Sequence, residues 1–256
     1  MRGIFKFSLV FALLVHSPAF AVDASAVAAR LRQQVPLELT VYFDTILYVS
    51  KAAEGPWAQQ MFVFRRQEDG QFALDESFAV STGRERREQY FTTTPTGIFE
   101  IDPNRIYRMV HSARWGGAAM PYSMFIDYSY RTVKSGIALH AAAGRQNLAN
   151  LGSRASGGCI RLPPEKAEQF FNQVQNGSRG MVPILAFDES AGTTNRSGIM
   201  VRDAAGKPRL KSGITVLLVV DDYPGTEPVR TVGVGPPDDP LNHDLQLRPS
   251  SASTLP

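Results

Sequence analysis

Between Pro36 and about Asp188 the chain is cut into short β-prone runs, and this segmentation constrains its fold more than any other feature. Leu37, Leu39, Val41 and Phe43 alternate with polar residues or tyrosine, and Ile46–Val49, Met61–Phe64 and Phe78–Ser81 follow. Gly97–Ile101, Ile106–Val110, Tyr122–Ile126 and Gly136–Leu139 continue the series, with Gly, Pro, Asp and Asn between them. Runs too short for helices and bounded by turn formers read as strands. The expected fold is therefore mostly β, a mixed β-sandwich with one or two packed helices.

One helix stands out. Pro163 and Pro164 suit a first turn, Ala167, Phe170, Phe171 and Val174 fall on one face, and Gly177 supplies the stop. The next β run, Met181–Phe187, contains Pro183, which places it at an edge or a bulge. Residues 22–36 read as an N-terminal helix or tether, and 37–188 as the main domain. Beyond it, Ile199–Arg202 and Ile214–Val220 around Ala205-Gly206-Lys207-Pro208 suggest an appended hairpin within 189–223. The Pro/Gly/Asp-rich residues 224–256 read as a disordered tail.

The first residues, with Arg2 and Lys6, an apolar stretch from Phe7 to Val15 and a small-x-small site at Ala19-Phe20-Ala21, have the pattern of a secretory signal peptide, residues 1–21. The apolar stretch is too short to span a bilayer, so cleavage after Ala21 is expected, with no transmembrane span in the mature chain. An uncleaved N-terminal anchor is the alternative. The mature chain would carry 25 basic against 24 acidic residues. With that near-neutral balance and no basic stripe interleaved with aromatics, no nucleic-acid partner is expected.

For an exported protein, one cysteine is an unusual inventory, because oxidising compartments favour paired thiols. Cys159 is either buried and inert or kept for its chemistry. Its setting, Ser153-Arg154-Ala155-Ser156-Gly157-Gly158-Cys159-Ile160-Arg161-Leu162, favours chemistry. Small residues leave the amides of Gly158 and Cys159 unshielded, as an oxyanion hole requires. A thiol also needs a base. After cleavage three histidines remain: His243 in the polar tail, His111 at the end of one β run and His140 at the end of another. Residue chemistry alone leaves His140 and His111 as even candidates.

A histidine after a β run, followed by Ser-x-Gly-Cys-Ile-Arg-Leu, resembles the L,D-transpeptidase (YkuD) catalytic domain. Ser81-Thr82-Gly83 and Thr94-Pro95-Thr96-Gly97-Ile98-Phe99 resemble that family's upstream elements and stand in the same order. The resemblance covers about Leu37 to Asp188. It departs at Gly157, where the family usually has histidine, and at Ala141, where it often has Gly or Ser.

The resemblance implies Cys159 as nucleophile, His140 as general acid/base, and Gly158 and Cys159 as oxyanion donors. Ser156, Gly157, Arg161 and Tyr122 follow as support or substrate contacts. Arg161 would hold the loop or meet a substrate carboxylate, with a structural ion pair as the alternative. Trp115, Tyr122 and Tyr128 could line a substrate wall or lid, with plain packing as the alternative. The implied reaction is attack on a peptidoglycan tetrapeptide stem, release of D-Ala and transfer of the acyl group to an amine, in the periplasm and without metal or cofactor. The acceptor is a neighbouring stem or an outer-membrane lipoprotein. A murein amidase or endopeptidase of the same fold, and a non-catalytic peptidoglycan-binding envelope protein, are the alternatives.

Overall fold

The structure is a computed structural model that describes residues 23–86, 92–131 and 133–226. The expected signal peptide, and the expected disordered tail from residue 227 onward, lie outside the described residues.

Among the described residues there are four α-helices: α1 (Ala24–Gln34), α2 (Leu37–Thr40), α3 (Gly144–Ala149) and α4 (Pro164–Asn176). The strands are β1 (Thr45–Ser50), β2 (Gln60–Arg66), β3 (Phe72–Ala79), β4 (Gly97–Ser112), β5 (Ala118–Ile126), β6 (Ser129–Tyr130) and β7 (Val133–Lys134). They continue with β8 (Ala138–Ala141), β9 (Ile160–Leu162), β10 (Arg179–Pro183), β11 (Phe187–Asp188), β12 (Thr193–Thr194), β13 (Leu210–Ile214) and β14 (Val216–Asp221). Eight of them form one mixed sheet in the order β3-β2-β1-β14-β4-β5-β8-β9.

Both faces of that sheet are covered. Leu47, Val49, Met61, Val63, Val216, Leu218 and Val220 point to one side, where Ala167, Phe170, Phe171 and Val174 of α4 meet them. Ile46, Tyr48, Phe62, Phe64, Leu217 and Val219 point to the other, where Val27 and Leu31 of α1 and Leu39 of α2 close a second core. A strand buried on both faces has no polar side, which is why β1 and β14 are buried at every position. The expectation of a mostly β, mixed fold with packed helices is met.

Two local expectations are corrected. Leu37, Leu39, Val41 and Phe43 do not form a strand. Leu39 and Phe43 are fully buried while Leu37 and Val41 are 84% and 62% exposed, a spacing of four that belongs to the single helical turn of α2. The appended hairpin is also overturned: β14 lies between β1 and β4, parallel to the first and antiparallel to the second. Its predecessor β13 pairs instead with β10, where Pro183 sits at the end of a two-stranded ladder. Only the turn at Asp203–Lys207 resembles the expectation, closed by the bridge between Arg202 and Pro208. The fold is thus completed by residues well beyond 188.

Strands β4 and β5 outrun the sheet. Their register shifts between Ile101 and Ile106, and the pairing then continues out to Ser112 and Ala118, with a tight turn at Ala113–Trp115. This projecting hairpin and the Ala155–Cys159 loop that feeds β9 define the site.

Candidate active site

Strand β9 lies parallel to β8, with Leu139, His140 and Ala141 opposite Ile160, Arg161 and Leu162. Cys159 therefore enters the site one residue before the ladder begins, beside the strand that carries His140. His111 sits exposed near the end of the hairpin, paired with Ala119. The structure places His140 next to the cysteine strand and leaves His111 on the surface.

The loop before Cys159 is held by an internal hydroxyl. Ser156 Oγ donates to the carbonyl of Cys159 at 2.5 Å and accepts from the N–H of Gly158 at 3.0 Å. Of the two amides expected as oxyanion donors, that of Gly158 is engaged by Ser156. Gly158 is glycine for a backbone reason, since its φ of +117° suits no side chain.

The Ser81-Thr82-Gly83 and Thr94 elements buttress this loop from behind. Ser81 and Arg161 exchange backbone hydrogen bonds at 3.0 and 2.9 Å, and the Ser156 N–H donates to Thr82 at 2.8 Å. Thr94 Oγ1 accepts from the Gly83 N–H and donates to the Gly158 carbonyl, both at 2.8 Å. A side chain at position 83 would lie 1.9 Å from the Thr92 carbonyl, so this glycine permits the close approach. Sequence reading missed two members of the scaffold. Buried Gln59 binds the backbone and hydroxyl of Thr82 through Oε1 and the carbonyls of Lys51 and Ala52 through Nε2. Buried Lys51 reaches the Thr94 carbonyl at 2.9 Å and Glu85 at 3.0 Å. A lone Gln or Lys between β runs carries no motif by which to find it.

His140 is buried, and its Nδ1 lies 2.9 Å from the carbonyl of Ala141. A carbonyl can only accept, so Nδ1 carries the proton and Nε2 presents a lone pair. Burial lowers the imidazole pKa to about 4, with the Ala141 bond opposing and the charge of Arg161 adding to the effect. The ring is neutral near pH 7.

Cys159 is half-buried and packs with Met120, Phe125 and Ala138, with Val110 nearby. Its Sγ–H faces the carbonyl of Gly136 at 3.6 Å. Burial pushes the thiol up, against the lowering effects of the Ala138 amide and the Arg161 charge. Burial thus works against the charged form of both the thiol and the imidazole.

Arg161 donates through Nη1 to the Ala155 carbonyl at 3.3 Å, and its buried Nε meets no partner among the described residues. Among the described residues no carboxylate is paired with Arg161. Tyr122 is turned away from the thiol: its hydroxyl donates to Glu168 at 2.8 Å and its ring lies 5.6 Å from that of Phe171, so it fastens the hairpin to α4. Tyr128 packs edge-on against Phe99 in the core. Among the described residues no cluster of three or more His, Cys, Asp or Glu side chains could hold a metal, and no helix is long and apolar enough to cross a membrane.

The family model described as the L,D-transpeptidase catalytic domain matches residues 45–184. Among solved structures, the chain is similar to an L,D-transpeptidase of Enterococcus faecium carrying a C442S substitution, at 15% identity over 70% of this chain and 50% of that one, with a TM-score of 0.35. It is also similar to the helical cell shape determining protein Pgp2 of Campylobacter jejuni, at 17% identity over 70% and 47%, with a TM-score of 0.37. The catalytic domain of the E. faecium L,D-transpeptidase, solved by NMR, is 21% identical over 52% and 92%, with a TM-score of 0.29. The chain spans about half the length of the first two. No curated protein matches it.

Proposed function

The chain belongs to the L,D-transpeptidase catalytic-domain family, and on that premise we propose that it is a peptidoglycan L,D-transpeptidase acting through a thioester on Cys159. The observation that carries this reading is the polarised imidazole of His140, with Nδ1–H held by Ala141, on the strand beside Cys159. His140 Nε2 would accept the thiol proton as sulfur attacks the stem-peptide carbonyl, and the Cys159 amide would receive the developing oxyanion. The imidazolium would return that proton to the departing D-Ala amine, leaving the acyl thioester. An acceptor amine then attacks the thioester, loses a proton to His140 and restores the thiol.

The apolar surroundings of Cys159 favour transfer over hydrolysis, because Met120, Phe125 and Val110 limit water at the sulfur. Ser156 acts as the brace of the nucleophile loop, and the charge of Arg161 adds to burial in keeping His140 neutral. The substrate is a peptidoglycan stem, and the acceptor a neighbouring stem or a lipoprotein lysine. Export by residues 1–21 would place the reaction in the periplasm, with no metal or organic cofactor required.

Mass spectrometry of muropeptides tests the reading. The protein is incubated with disaccharide-tetrapeptide and, separately, with cross-linked dimer, beside Cys159→Ala, His140→Ala and His111→Ala variants. Dimer formed with loss of one D-Ala, absent in Cys159→Ala, slowed about a hundredfold or more in His140→Ala and normal in His111→Ala, supports the transpeptidase. Conversion of dimer to monomer would replace it with the hydrolase, and product formation by Cys159→Ala would sink the mechanism.

A further inference from the structure

Gly157 differs from the other glycines of its loop. Its φ is not in the left-handed region, so the backbone does not demand glycine. Space does. A Cβ placed there would lie 2.5 Å from Trp115 Cε2 and 2.6 Å from both Cζ2 and Nε1. The indole of Trp115 thus rests directly on the Cα of Gly157, two residues before the nucleophile.

Trp115 stands at the turn of the hairpin between β4 and β5. Its ring has the Arg84 guanidinium 5.3 Å from its centroid, and the Arg84 backbone donates to the Ser156 carbonyl at 3.1 Å. Arg84 and Gly157 therefore belong to one scaffold, and the indole contacts both. Behind this tip, Val110, Met120 and Phe125 of the same hairpin cover Cys159, while Tyr122 and Arg108 hold its base against Phe171. The hairpin is anchored at its root, seated at its tip and apolar where it overlies the sulfur.

We propose that Trp115 is the gate of the acyl-donor site: its indole, seated on Gly157 and backed by Arg84, holds the hairpin over Cys159 and leaves that seat to admit a stem peptide. The proposal rests on the functional reading above for the identity of the ligand admitted. It also assigns Gly157 a purpose, since any side chain at 157 would unseat the gate. Trp115 is 37% exposed, so an outer part of the ring is available to the incoming peptide.

The test uses the full chain and needs no transpeptidase activity. Alkylation of Cys159 by iodoacetamide, thermal melting and iodide quenching of Trp115 fluorescence, taken as the difference from Trp115→Phe, are measured for Trp115→Ala, Gly157→Ala and the double variant. A gate whose open state is a minor population predicts alkylation faster by about tenfold in each single variant, with no further gain in the double. Gly157→Ala should also raise quenching of Trp115. It should lower the melting temperature when Trp115 is present and leave it unchanged in the Trp115→Ala background, where the added methyl finds room. Unchanged alkylation in folded Gly157→Ala, or independent and additive effects, would overturn the gate. Either result leaves the muropeptide outcome to judge the chemistry separately.

Discussion

His140 and Arg161 face each other as register partners across the parallel ladder of β8 and β9. The guanidinium charge opposes protonation of the ring and also favours the thiolate of Cys159. One residue thereby acts on both the imidazole and the thiol while donating to the loop at Ala155.

Replacing Arg161 with Gln should raise the His140 pKa from about 4 and raise that of Cys159 further. The acid limb of kcat/KM against pH would move to higher pH, and Arg161→Lys would keep it in place. An NMR titration of the His140 ring reports the same shift directly. An unmoved limb in Arg161→Gln would show that burial alone holds the ring neutral.

Because burial pushes the thiol up, alkylation of Cys159 should keep accelerating through pH 9 and show no plateau in mild acid. A preformed thiolate–imidazolium pair would instead react at a constant rate from about pH 5 upward. Stopped-flow alkylation across this range separates the two resting states.

Two buried groups pull stability in opposite directions with pH. Burial and nearby Asp127 raise Glu100 from 4.5 to about 7, against the Lys211 ammonium 3.0 Å away. The folded state binds that proton more tightly, so its stabilising effect is present below about pH 4.5 and lost as pH rises through 7. His140, lowered from 6.5 to about 4, acts the other way, and its contribution is lost as pH falls through that window. Each is worth on the order of 3 kcal/mol at most. Glu100→Gln should therefore make stability fall on acidification between pH 6.5 and 4.5, and His140→Gln should make it rise. Urea melts at several pH values measure both slopes.

If β14 completes the main sheet, Leu218→Ala should cost about 2–5 kcal/mol, because the side chain is fully buried between β1 and β4. Leu210, 40% exposed on β13, should cost far less when replaced by Ala. A chain ending at Asp188 should fail to fold. Cooperative melting of that fragment would restore the appended-hairpin picture.

Much of the site was legible in the sequence because its marks are local. A single thiol after two glycines, a serine three residues before it and a proline-started helix after it are short-range patterns, and α4 buries the four residues expected of it. Gln59 and Lys51 were not legible, since their roles come from carbonyls and hydroxyls that only the folded chain brings near. Tyr122 stood in the sequence as a substrate or support residue with plain packing as the alternative, and its contacts with Glu168 and Phe171 of α4 could be read only from the folded chain.

By itself the sequence determined the short-strand character of the body and the family, and singled out Cys159 as the candidate nucleophile, because side-chain chemistry and hydrophobic period are properties of neighbours along the chain. It left His140 and His111 undecided, made Gly157 look like a loss and set Ile214–Val220 outside the main domain. The tertiary structure decided these. Which histidine lies on the strand beside that of Cys159 depends on the β8–β9 pairing. The need for a bare Cα at 157 comes from an indole forty-two positions away. An apolar run such as Val216–Val220 gains its meaning only when strands far off in the chain pair with both its edges and helices cover both its faces.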